Sequence, residues 1–266
     1  MVGGVYVAGL QGAVWGLVIS MAVNCVLNHV ALNNRLGSEN IPIDYVHGKK
    51  EWPVLWRFSV PAFLSGMMVG PVNWVCGALL VNQPNGYAEM GVFNAANQWR
   101  NAILFLPGSM SAIVLPMLSS LYSNNDSRSY KKVLWYNWAL NTGIAAVVAL
   151  IISLAAAIIM SSYGQEFSSG RGVLVLLAVS AVLSASVSVI GQAIASRDRM
   201  WWAFILNFIW GIVLIFSCWM LIDRGAMGLA FANVIAYGVH LIGVVSFAYF
   251  ILFSKRISWY TNDLES

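Results

Sequence analysis

Seven long stretches of this sequence carry almost no charge: 1–34, 58–88, 90–125 (broken only by Arg100), 133–165, 172–196, 200–222 and 225–254. A helix needs about 20 residues, at ~1.5 Å each, to cross ~30 Å of hydrocarbon. Two spans and a turn need about 40, so each stretch holds one. The helices this predicts run approximately over 11–32, 59–81, 92–119, 138–161, 172–194, 201–222 and 227–252. Residues 1–9 then read as an external loop, or as the end of an earlier helix. Only 9% of the 266 residues are charged, while 59% are apolar. A soluble domain carries about 25% charge. These figures exclude a soluble globular enzyme, a disordered chain and a secreted disulfide scaffold. The fold class is an all-α polytopic membrane bundle, with the lipid bilayer as its first partner.

The charges sort by connection. Odd-numbered loops and the tail hold Arg35, Lys49, Lys50, Arg57, Arg128, Lys131, Lys132, Arg197, Arg199, Lys255 and Arg256. Even-numbered loops hold only Arg171 and Arg224. Basic residues favour the cytoplasmic side. The N-terminus is therefore expected outside and the C-terminus in the cytoplasm. The net charge of +4 is a topology signal rather than a nucleic-acid footprint, so no nucleic-acid partner is expected. Trp52, Trp56, Trp135, Trp138, Trp201, Trp202 and Trp259 fall at the basic boundary and Trp219 near the other, as amphipathic rings should.

Inside the spans, four prolines stand in two successive helices: Pro61 and Pro71, then Pro107 and Pro116. Each removes an intrahelical bond and bends its helix, which suits helices that move or line a cavity. The spacings Gly12/Gly16 and Gly66/Gly70 permit close helix packing. The third helix holds Asn94, Asn97, Gln98, Arg100 and Asn101. At ~100° per residue these cover an arc of roughly 160°, which should face other helices or water rather than acyl chains.

Arg100 is the sole Asp, Glu, Lys or Arg well inside a predicted span, about 13 Å from the outer end of its helix. An arginine near the bilayer centre costs at least ~2.5 kcal/mol on insertion scales. Two roles fit it: contact with an anionic substrate in a cavity, where a planar guanidinium suits phosphate oxygens, or structural bonding to carbonyls and amides. Asn24, Asn28, Asn73, Asn141, Gln192, Asn207, Asn233 and His240 read mainly as interhelical hydrogen-bond partners. Cys25, Cys76 and Cys218 read as small buried hydrophobes.

Acids are confined to loops and helix ends, so the intramembrane carboxylate of a cation-coupled antiporter is not supplied. No nucleotide-binding loop, zinc-hydrolase or serine-hydrolase motif is present in the sequence. An enzyme is not expected, nor a cofactor, and the scattered His29, His47 and His240 make no metal pattern.

The segment 52–122 carries a tryptophan-flanked Phe-Ser-Val-Pro entry, a Gly-Pro-Val-Asn-Trp core, Gly-Val-Phe-Asn-Ala-Ala-Asn-Gln, then Leu-Pro-Gly and Leu-Pro-Met-Leu-Ser. It resembles the Wzx-type O-antigen and polysaccharide flippases of the multidrug/oligosaccharidyl-lipid/polysaccharide (MOP, MATE-like) exporter superfamily. The resemblance implies a two-bundle helical fold whose central cavity opens alternately to each side. It implies an undecaprenyl-diphosphate-linked oligosaccharide as cargo, in the bacterial inner membrane, for O-antigen or related lipopolysaccharide synthesis. Arg100, Asn94, Asn97, Gln98, Asn101 and Asn73 are the candidate substrate contacts. The family has twelve or more helices. This chain matches the last helix of the first half (1–34), a cytoplasmic linker (35–57), the six-helix second half (58–254) and a tail (255–266). A truncated frame, a fragment, or half of a split or oligomeric transporter is expected, with the N-terminal half or other polysaccharide assembly proteins as partners. A drug/cation antiporter of the same fold and a non-transporting membrane subunit are the alternatives.

Overall fold

The computed structural model describes residues 2–38 and 52–253. Most of the expected linker and the tail, with Trp259, lie outside the described residues. Two compact units divide the chain, Met1–Trp52 and Pro53–Ser266.

The first unit contains α1 (Val2–Ser38). Helix begins at Val2, so the loop reading of residues 1–9 is overturned. Gly9 interrupts the helix with φ +56°, a left-handed conformation that glycine adopts without steric cost. Cys25 is exposed rather than buried, as a side chain on a lipid-suited helix can be without cost.

The second unit contains α2 (Trp52–Val81, all but its first residue), α3 (Gly86–Ser123), α4 (Ser127–Leu154), α5 (Arg171–Ala195), α6 (Met200–Leu221) and α7 (Gly225–Phe253). A short helix, Ala156–Ser162, continues α4, and 3-10 turns at Gln165–Gly170 and Ile222–Arg224 lead into α5 and α7. Six segments are long and apolar enough to cross a membrane, and the longest, Met200–Phe250, contains both α6 and α7. The seven predicted spans are therefore all present. Several outrun their predicted ends: α4 starts at Ser127 rather than 138, and α3 at Gly86 rather than 92. Hydropathy marks the hydrocarbon-crossing part of a helix, whereas capping decides where it stops. Asp126 caps α4, accepting from the Ser129 backbone N–H at 3.0 Å. Hydrogen bonds from Ser129 hold its carboxyl below the usual range.

The central helix is α5, which packs against α3, α4 and α7, while α6 packs between α2 and α7. Its sequence explains this. Ala178, Ser180, Ala181, Ala185 and Ser186 are all buried, and small side chains let helices approach closely where lipid provides no hydrophobic drive. Thr142 of α4 and Ser186 of α5 share a 2.9 Å hydrogen bond between hydroxyls. By contrast, a side chain built at Gly66 or Gly70 would meet nothing within 4 Å. The expected close packing at that pair is not found.

Glu89 links the start of α3 to α7. Its carboxylate accepts from the Ala226 N–H at 2.7 Å, placing a negative charge on the first turn of α7, where the helix dipole favours it. Gly225 makes this possible. Its φ is +59°, and a Cβ there would lie 2.5 Å from a Glu89 carboxylate oxygen.

Candidate functional site

The polar arc of α3 divides. Asn94, Gln98 and Asn101 are exposed, and Asn97 is partly so. Val92, Ala96 and Ile103 are buried in the main core, on the opposite side. Pro107 is buried too. Helical geometry puts Asn94, Asn97, Gln98 and Asn101 within about 100° of one another. Arg100 lies at the edge of that set, about 60° beyond Asn97 toward the buried side.

Arg100 is held there by two neighbours. Its Nε–H donates to Ser180 Oγ of α5 at 3.0 Å, and its guanidinium lies 5.0 Å from the Tyr237 ring centroid on α7. Ser180 is fixed in turn, donating to the Leu177 carbonyl at 2.8 Å. The Nη2 atom is buried without a hydrogen-bond partner. From Tyr237 a ladder of rings continues inward: Trp210 at 5.4 Å from Tyr237, then His240 at 6.4 Å from Trp210. His240 is buried and its Nδ1 has no hydrogen-bond partner. Arg100 is thus bonded to a hydroxyl and set against a ring, where carbonyls or amides were the structural partners expected, and one buried nitrogen is left over.

Asn73 sits on the exposed side of α2, where its amide donates to the Val69 carbonyl at 2.8 Å. Asn141, Asn233 and Asn28 behave alike, donating to the carbonyls of Asn137, Leu229 and Asn24 four residues back. The interhelical role expected of these asparagines is thus replaced by bonds within their own helices. A short amide reaches its own preceding turn more readily than a neighbouring helix.

Pro61 is buried, Pro71 and Pro116 are exposed, and all four prolines stand inside or at the edge of continuous helix. Just before Pro61 the chain forms a π turn, Leu55–Ser59, with the Val60 N–H bonded to the Leu55 carbonyl. In that register the next bond would join Trp56 O to the N–H of residue 61, which proline lacks. The Trp201 indole N–H of α6 supplies the donor, 3.1 Å from Trp56 O. The two indole rings lie 5.5 Å apart.

No family model matches the chain. Over 182 residues it is 23% identical to the EPS I polysaccharide export inner membrane protein EpsE of Ralstonia nicotianae (strain ATCC BAA-1114 / GMI1000), a match covering 67% of this chain and 41% of that protein. The same-named protein of Ralstonia solanacearum matches at 23% over 181 residues, again 41% of its length. The chain thus spans less than half of the curated relatives it matches. A crystal structure of MATE in complex with MaL6 superposes with a TM-score of 0.73 at 16% identity, covering 93% of this chain and 58% of that one.

The fold is MATE-like. It is a polytopic helical membrane bundle, and the proteins it is similar to are an exporter and a transporter rather than enzymes.

Within this fold, Asn94, Asn97, Gln98 and Asn101 share one face of α3, with Arg100 turned to its inner flank, while Asn73 stands on α2. Sequence reasoning missed Ser180, Tyr237 and the Trp201–Trp56 bond. No local pattern marks Ser180, one small residue among many in α5. The missing donor of Pro61 was a signal, but its substitute lies 145 residues from Trp56. Among the described residues no three His, Cys, Asp or Glu side chains could together hold a metal ion.

Proposed function

We propose that this chain forms the last helix of the N-terminal bundle and the whole C-terminal bundle of a bacterial inner-membrane flippase. Its cargo is an undecaprenyl-diphosphate-linked oligosaccharide for O-antigen or a related polysaccharide. The observation that carries this reading is the exposed polar face of α3 in a MATE-like membrane fold. Four side-chain amides on one face of a membrane helix are costly against acyl chains. They suit a wet cavity between two bundles, where they hydrogen-bond sugar hydroxyls. Similarity to proteins named for polysaccharide export supports that cargo class.

In this reading Arg100 meets the diphosphate from the flank of the face. Its unpartnered Nη2 is the free donor, uncovered when α3 moves against α5 and α7. The cargo crosses as the two bundles rock about the site, with Pro61, Pro71, Pro107 and Pro116 permitting local bends. The N-terminus is periplasmic and the tail 255–266 cytoplasmic, as the basic loops favour. An antiporter with the same fold is less well supported. Glu89, the one acid placed within α3, is committed to capping α7.

The test is complementation of an exporter-deficient strain with the full-length protein. Arg100→Ala should reduce surface polysaccharide at least about tenfold, the scale of one charge-assisted contact, at normal protein level. Arg100→Lys should retain part of it. Undiminished display by both variants would overturn the role of Arg100. Altered drug susceptibility with intact glycan would instead favour the antiporter.

A further inference from the structure

Away from the polar face, a groove of about 720 Å³ opens between α3 and α4. That volume is within the range of sites for drug-sized ligands. Its walls are two facing apolar rows, Val114, Met117 and Leu121 from α3 and Val133, Tyr136 and Leu140 from α4. Each row repeats at i, i+3 and i+7, so each is one face of its helix and runs about 10 Å along it. Ser129 and Lys132 line one end of the groove. Arg128 and Lys131 precede Lys132 by four residues and one, in the most basic stretch of α4.

A second observation is independent of the charge. Asn137 lines the groove and is only 7% exposed. Its amide oxygen accepts from the Asn141 side chain, but its Nδ2 is buried without a hydrogen-bond partner. A donor among apolar walls at membrane depth calls for an acceptor that arrives with an apolar ligand. Lys132 and Asn137 are five positions apart, about 7.5 Å along the helix, the scale of the reach from a phospholipid phosphate to its ester carbonyl.

We propose that this groove binds an anionic phospholipid from the leaflet at the basic end of the bundle. An acyl chain lies between the two apolar rows. Its ester carbonyl accepts from Asn137 Nδ2, and its phosphate meets Lys132; the Ser129 hydroxyl is already bonded to Asp126. The neighbouring cations make the site prefer an anionic headgroup to a zwitterionic one. The site is separate from the exposed asparagines of α3, and it requires only that the chain lie in a bilayer.

The experiment is native mass spectrometry of the purified full chain with phosphatidylglycerol or phosphatidylcholine added in parallel. Retention of phosphatidylglycerol should exceed that of phosphatidylcholine by about fivefold or more, the effect of one lysine near an anionic surface. Lys132→Gln should remove most of this preference, and Met117→Trp should fill the groove and remove the adduct. Met117 is 49% exposed, so that change leaves the core intact, and unchanged melting of the variant would confirm it. Equal retention of both lipids by the unmodified chain would overturn the proposal. So would an adduct that survives Met117→Trp, or a dimer that this substitution dissociates while lipid stays absent.

Discussion

On one side of α3, Ala96 and Ile103 are buried in the bundle core. On the other, Asn94, Gln98 and Asn101 are exposed. Both sides carry polar groups that a bilayer disfavours, but they treat them differently. Arg100, on the flank of the buried side, is tied to Ser180 and Tyr237. The amides of the open side stand as a continuous polar face. The buried side holds the bundle together, and the open side is free to serve something outside it. In the proposed function, a single helix separates stability from recognition by azimuth, with Arg100 at the boundary.

The sharpest way to break this contrast is the same substitution on both sides. Ala96 is fully buried and Ala102 exposed. Ala96→Leu should overpack the core and destabilise by about 1–3 kcal/mol, while Ala102→Leu should stay within ~0.5 kcal/mol. Thermal unfolding of the detergent-solubilised protein measures both, and equal losses would abolish the distinction. Next in size is Gly225→Ala, which forces a non-glycine residue to φ +59° and pushes on Glu89. A loss of about 1–2 kcal/mol is expected. A matching loss in a Glu89→Gln, Gly225→Ala double variant, with no further decline, would show that the two act through one contact. The smallest effect on stability is expected from Asn97→Leu with Asn101→Leu, within about 1 kcal/mol in sum. That pair should nevertheless reduce polysaccharide display at normal protein level. A large fall in melting temperature would assign those amides to packing instead.

The seven spans were legible because a membrane helix is defined by length and apolarity alone. The polar face of α3 was legible too, since its residues are neighbours in sequence and helical geometry sets their azimuths. What covers each azimuth was not. Ser180 and Tyr237 reach Arg100 from two other helices, and nothing near either residue announces it. The asparagines misled for the opposite reason: a nearby carbonyl of their own helix outcompetes a distant partner. Gly66 and Gly70 show that small-residue spacing permits an approach without specifying one.

The Trp201–Trp56 bond has a consequence in time. Donor and acceptor are 145 residues apart. At a synthesis rate of about 5–20 residues per second, α2 emerges roughly 7–30 seconds before the indole that completes its π turn. During that interval the Trp56 carbonyl lacks its indole partner, and the turn that opens α2 is completed only once α6 has been made.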